Sequence, residues 1–260
     1  MRALVRPPGP RLTEGLLTHF ERVDIDVDVA MRQWRGYVDT MRSHGWDIVE
    51  VPAADDCADA VFIEDTVVMF GDLAVISLPG APSRRPETAA VDATLRDLGY
   101  EVARIETPGT LDGGDVLKVD GTVYVGLGGR TNAAGIAQLA AHLEPRGATV
   151  VTVPVTKVLH LTSAITALPD GTIVGWLPAV DDPAMFPKYL ATPEESGSHV
   201  VLLGDDRVLI SADCPLSAEM YRSLGYHPVE VEIGEFQKLE GCVTCLSVRL
   251  RVEARDSVAS

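Results

Sequence analysis

Four stretches of the chain alternate apolar and polar positions in two short arms around a polar turn. They are DTVVMFGDLAVIS (65–77), DVLKVDGTVYVG (115–126), SAITALPDGTIVG (163–175) and HVVLLGDDRVLIS (199–211). Their turns fall at Gly71-Asp72, Asp120-Gly121, Asp170-Gly171 and Asp205-Asp206. A period of two predicts strands, and Asp-Gly between the arms predicts a tight hairpin whose two central residues take positive φ. Gly-Asp and Asp-Asp carry weaker forms of that signal. Between the hairpins the apolar spacing becomes helical, over 27–46, 86–100, 131–147 and 214–226. Gly99, Pro145 and Gly147 supply stop signals. A short strand follows each helix: DIVEVP, EVARIE, TVVTVP and HPVEVEI.

The helix, strand and hairpin together form a unit that recurs four times. Its offsets of roughly 35 to 50 residues lie where repeats indicate radial arrays. ALVRPPG at the start and CLSVRLRVE near the end can pair to complete a fifth unit. The expected fold class is therefore α/β, a ring of β-β-α-β units around an axial channel, in preference to an ordinary α/β sandwich with repeated hairpins. Residues 179–198 are the longest stretch that reads as irregular. No linker or low-complexity stretch interrupts the pattern, so residues 1–260 are expected to form one domain.

Composition narrows the class. The chain has 260 residues, 46% of them hydrophobic, enough for a sizeable core. No apolar run approaches the length of a membrane span, and MRALVRPPGPRL lacks the apolar region of a secretory signal. Four irregularly spaced cysteines do not suggest a disulfide framework, and a cytoplasmic setting is expected. A net charge of −16 argues against nucleic acid or an anionic membrane surface as partner, and suits a cationic small molecule.

Candidate chemistry gathers at the starts of the hairpins. DAVFIEDT carries Asp59, Glu64 and Asp65; LDGGDVL carries Asp112 and Asp115; VLHLTSAIT carries His160. KLEGCVTCLSVRL adds Cys242 and Cys245, with Cys245 expected at the start of the last strand. Each has a plain alternative: edge acids, a turn, a core histidine, a small buried thiol. Structural zinc would need two such cysteine pairs, and Cys57 and Cys214 are solitary. A thioredoxin-type pair would open a helix, whereas LSVRLRVE reads as a strand. Acids, a histidine and a cysteine at equivalent places of repeated units instead suit nucleophilic attack on a cationic carbon. A guanidinium fits best, since its planar fork pairs with carboxylates.

At these residues the sequence resembles the dimethylarginine dimethylaminohydrolases of the guanidino-group-modifying superfamily. FIEDTVV, SRRPET, LDGGDVL, GLGGRTNAAG, VLHLTSAIT and GCVTCLSV carry the resemblance in order and spacing, nearly end to end. It implies a five-bladed α/β propeller (the pentein fold) and hydrolysis of Nω-methylated arginines to citrulline and an amine, with no metal or organic cofactor. It implies Cys245 as nucleophile, His160 as general acid and base, and Asp112 as the acidic partner of that histidine. Glu64 and Asp65 match carboxylates that grip the guanidine, and Phe62 falls beside them. Asp59 matches a contact to the α-amino group, Arg84 and Arg130 match readers of the α-carboxylate, and Leu16 matches a leucine on a mobile lid. Gly128-Gly129 before Arg130 departs from the family pattern.

The implied partner is a small-molecule substrate, methylated L-arginine, and the apolar edge of such a ring leaves room for a homodimer. Arginine deiminases and amidinotransferases are longer, the former through an added helical domain. A non-catalytic arginine or methylarginine sensor on the same scaffold need not keep cysteine, histidine and acid together, and all three are present here.

Overall fold

The computed structural model describes residues 1–250. The chain opens with β1 (Arg2–Val5), α1 (Val27–Ser43) and β2 (Asp47–Glu50), then β3 (Val67–Phe70), β4 (Leu73–Ile76), α2 (Thr88–Asp97) and β5 (Glu101–Arg104). A third group is β6 (Val116–Val119), β7 (Thr122–Leu127), α3 (Ala133–Leu143) and β8 (Thr149–Pro154). Then come β9 (Ile165–Ala167), β10 (Ile173–Gly175) and β11 (Tyr189–Ala191). The last group is β12 (Val201–Gly204), β13 (Arg207–Ser211), α4 (Pro215–Ser223) and β14 (His227–Val231). A single helical turn, α5 (Gly234–Gln237), and β15 (Val248–Leu250) complete it.

These strands form five three-stranded sheets, ordered β15-β1-β2, β3-β4-β5, β6-β7-β8, β9-β10-β11 and β12-β13-β14. In each, the first two strands are antiparallel and the third runs parallel to the middle one. Such a parallel return needs a crossover, which is why a helix precedes β2, β5, β8 and β14. The fourth sheet makes its crossover without one. Short 3-10 turns at Leu177–Ala179 and Pro183–Met185 lead into β11, so the stretch expected to be irregular supplies a strand.

The hairpin turns follow their chemistry. Asp120 and Gly121 both take positive φ, at 47° and 80°, and so do Asp205 and Asp206, at 48° and 59°. The second pair shows aspartate standing in for glycine in the left-handed region, as its short polar side chain allows. At the other two turns only Gly71 and Gly171 are left-handed. α1 begins where the Asp26 carboxylate accepts the Val29 N–H at 2.9 Å, and it buries Ala30, Trp34, Tyr37, Val38 and Met41 along one face.

The five cores lie between sheets. Leu4 and Val248 pack with Val67 and Ile76; Val75 with Val123 and Val125; Tyr124 with Ile165 and Ile173. Val174 packs with Val208 and Ile210, and Val201 and Leu209 return to Ala3 and Val5. Each sheet therefore shares apolar side chains with the next, and the fifth shares them with the first. The first strand of every sheet contributes to the wall of one cavity of about 810 Å³. The antiparallel pairing of Arg2–Leu4 with Val248–Leu250 is the closure expected of the chain's two ends. The last three residues of CLSVRLRVE lie outside the described residues. Among the described residues no helix is long and apolar enough to cross a membrane.

Candidate active site

Before the first strand of each sheet the chain makes a tight turn, and four of these turns carry the chemistry. Asp65 lies in the 3-10 turn Ile63–Thr66; Asp112 and His160 stand just ahead of Gly113–Asp115 and Leu161–Ser163. Cys245 does not begin the last strand as expected. It closes a turn in which its N–H donates to the Cys242 carbonyl at 3.1 Å, and β15 starts three residues later. Polar side chains in such turns are held at strand ends without disturbing the ladders beside them.

Cys245, His160, Asp65, Asp59, Phe62, Leu16, Arg84 and Arg130 line one small pocket, together with Leu159, Leu239, Glu240 and Gly241. His160 is 2% exposed and lies between two carboxylates. Its Nε2 is 3.0 Å from Asp112 Oδ2, and its Nδ1 is 3.6 Å from Asp65 Oδ1. Burial by itself would lower the histidine's pKa, but Asp65, the hydrogen bond to Asp112 and the charge of Asp115 raise it to about 10. The surrounding carboxylates thus favour the protonated ring. Burial raises the Asp112 carboxyl, but the His160 hydrogen bond and charge outweigh it and hold that group below the usual range.

Asp65 is fixed from two sides, by the Gly114 N–H at 2.9 Å and by Arg84 at 2.5 Å. Gly114 is required for this approach, since a Cβ there would lie 2.6 Å from Asp65 Oδ1 and 2.9 Å from His160 Nδ1. Asp112 accepts from the Gly80 N–H at 2.9 Å and lies 3.8 Å from Arg130. Asp65, Asp112 and His160 each offer an atom within 4.8 Å of the others, a spacing that fits a cation. The imidazolium already fills the place between the carboxylates, and a metal would have to displace its proton.

Cys245 is 6% exposed, and its Sγ lies 3.2 Å from the Cys242 Sγ. The Cys242 N–H points at the Cys245 sulfur at 3.4 Å. The hydrogen bond between the sulfurs eases removal of the first proton from the pair, and with burial it pushes the second ionisation well up. No disulfide joins them.

Two expected substrate contacts are differently placed. Glu64 turns away from the pocket: its Oε1 accepts from Arg249 at 2.7 Å and its Oε2 from Thr244 at 2.9 Å. It lines the large cavity instead, and its carboxyl is raised by burial against the opposing pull of Arg249. Arg84 lines the pocket, but its guanidinium bridges Asp65 and Glu87 and donates to the Phe62 carbonyl at 3.0 Å. That geometry makes it a brace for Asp65, with little left for a carboxylate ligand. Asp59 accepts the Leu16 N–H at 2.9 Å, and burial raises its carboxyl, partly offset by Arg84.

Glu64 and Arg249 form a largely buried pair whose members are useful only together. Arg249→Met will lower the unfolding free energy by about 2–3 kcal/mol, the modest end for a broken buried pair because Arg249 is partly exposed. Adding Glu64→Gln will recover part of that loss; urea denaturation of the single and double variants measures both.

Asp115, named among the candidate acids but given no role from sequence, supports the site. It is buried, its carboxyl pushed up to about 6 by burial, and it accepts from the Leu161 N–H at 3.0 Å and Thr131 at 2.6 Å. Thr131 in turn accepts the Asp112 N–H at 3.1 Å, so one network seats both Asp112 and the turn after His160. The signal was present in GGD, an acid directly ahead of the hairpin's first strand. Glu240 offered no comparable sign.

A family model described as eukaryotic N,N dimethylarginine dimethylhydrolase matches residues 19–184. The N(G),N(G)-dimethylarginine dimethylaminohydrolase of Streptomyces coelicolor is 60% identical over 96% of this chain and 97% of its own length. A solved dimethylarginine dimethylaminohydrolase from Pseudomonas aeruginosa, a cysteine-to-serine mutant complexed with citrulline, superposes with a TM-score of 0.89 at 32% identity. It covers 96% of this chain and 98% of that one. A histidine-to-glycine form of such an enzyme, an adduct with S-methyl-L-thiocitrulline, gives 0.90 at 31% identity, over 96% of this chain and 99% of that one.

Proposed function

Since this chain belongs to the dimethylarginine dimethylaminohydrolase family, we propose that it hydrolyses Nω-methylated arginines to citrulline and methylamine or dimethylamine. The five cyclically packed sheets read as the blades of a five-bladed propeller, one domain across the described residues. The observation that carries the reading is a buried cysteine sharing a pocket with a histidine held between two carboxylates.

The substrate guanidinium lies against Asp65, which Arg84 and Gly114 keep in one orientation. Arg130 faces the α-carboxylate and Asp59 the α-ammonium. Cys245 attacks the central carbon as the thiolate, forming a tetrahedral adduct. A free thiol with a pKa near 8.5 is mostly protonated at neutral pH, so arrival of the cationic substrate favours release of that proton to solvent. His160, already charged, donates its proton to the departing amine, and the C–N bond breaks to leave an S-alkylthiouronium. The neutral imidazole then takes a proton from water, whose oxygen adds to the same carbon. Collapse of this second adduct breaks the C–S bond and releases citrulline and the thiolate.

Citrulline release from arginine, Nω-monomethylarginine and asymmetric dimethylarginine tests the reading. Turnover is expected with the methylated substrates. Absence of citrulline from all three, with binding of methylarginine retained, would overturn hydrolysis in favour of a sensor.

A further inference from the structure

Glu240 has no part in the chemistry assigned above, yet one of its oxygens gathers three consecutive backbone N–H groups. Thr18, His19 and Phe20 donate to Oε1 at 2.7, 2.6 and 2.9 Å. They belong to the segment between β1 and α1, at least 220 positions away in the chain. The same side chain lines the pocket beside Leu16, Asp59 and Cys245. Its Oε2 is buried with no hydrogen-bond partner among the described residues. Glu240 also stands at φ 60°, a conformation that a non-glycine residue keeps only where its surroundings insist on it.

The segment it holds is braced within itself. Arg22 donates to the carbonyls of Thr13 and Gly15, both at 2.6 Å. Two carboxylates then fasten it to the body: Asp59 at the Leu16 N–H, and Glu240 at the three that follow Leu17. Beneath it the pocket has a volume of about 20 Å³, room for a water molecule or so. An amino acid needs more room than this, and the strap that carries Leu16 borders the pocket.

We propose that Glu240 is a positioning residue that latches the Leu12–Arg22 strap over the bound substrate, and that a cation in the pocket tightens the latch. A bare, desolvated carboxylate oxygen is costly, and a positive charge placed near it offsets the cost of closure. The three N–H groups of the strap occupy Oε1, and Oε2 of this pocket-lining residue is left without a partner among the described residues. The cationic ligand rests on the methylarginine reading above. The latch itself rests on the hydrogen bonds.

The test uses the whole chain, with Glu240→Ala and Glu240→Gln. It combines citrulline-release kinetics with amide hydrogen exchange of Thr18, His19 and Phe20, with and without Nω-monomethylarginine. Glu240→Ala is expected to raise KM about tenfold or more with kcat changed by less than about threefold, because three charge-assisted bonds are lost from the closed state. Exchange at the three amides will speed up, and ligand will no longer slow it. Glu240→Gln keeps an acceptor oxygen without the charge. It should restore exchange protection in the free enzyme and bring KM back to within a few-fold, while losing most of the ligand-induced slowing. Wild-type KM and exchange in Glu240→Ala would overturn the latch. Full ligand-induced slowing in Glu240→Gln would overturn the coupling, and that variant decides if Glu240→Ala fails to fold. A wild type that releases no citrulline sinks the hydrolase reading instead, and the exchange measurement still reports on the latch.

Discussion

Cys245→Ser will abolish citrulline release, lowering kcat by at least about 10⁴-fold, while the variant still binds methylated arginine. Loss of a nucleophile that acts together with an acid–base partner removes nearly all of the catalysis the set provides. Serine is nearly isosteric here and keeps the turn hydrogen bonds, but its hydroxyl stays protonated where the paired thiols of Cys242 and Cys245 can share one proton. Titration calorimetry with asymmetric dimethylarginine should therefore show binding without product, and mass spectrometry should show no covalent adduct. Cys242→Ser, by contrast, will keep activity within about tenfold, since a serine hydroxyl can still donate towards the Cys245 sulfur. Equal damage from both substitutions would return the pair to a metal or redox role.

His160→Ala will lower kcat by about 10²–10⁴-fold, the range for a positioned acid–base group. It will also change how stability depends on pH. His160 has its pKa raised to about 10 in the folded chain, against an ordinary value of 6.5. A group raised on folding stabilises the protein fully below its unfolded pKa and loses that contribution as pH rises through the folded one. The wild type should therefore lose stability between about pH 6.5 and 10, and His160→Ala should show a flatter profile over the same interval. Urea midpoints measured at half-unit steps across that window provide the check. A variant with the wild-type slope would mean that another group carries the titration.

How much of this was legible in the sequence depended on range. Turn chemistry is local, so Asp120-Gly121 and even Asp205-Asp206 announced their hairpins, and the hairpins announced the repeat. The site was legible because the repeat places His160, Asp112, Asp65 and Cys245 in equivalent turns. Orientation within a turn was not. Glu64 and Asp65 are neighbours in sequence, but on a 3-10 turn adjacent side chains diverge, one to Arg249 and the other to Arg84. Arg84 reads as a free cation until the fold supplies Glu87 and Asp65 around it. Glu240 was out of reach for the same reason, since its partners are assembled across the whole length of the chain. The fourth sheet lost its helix because any connection long enough to return parallel will serve, and 3-10 turns suffice.

The pairing of β1 with β15 sets the order in which the pocket acquires Cys245. On a growing chain, Arg2–Leu4 wait for Val248–Leu250, the other edge of their sheet, until synthesis has passed the last of them. Cys245 is made only three residues before that strand, so its seat against Glu64 and Cys242 forms as the ring shuts. A nascent chain stalled between His160 and Cys245 carries the acids and the imidazole but not the cysteine of this pocket. Pairing of the two edge strands and seating of Cys245 in its turn are thereby a single event.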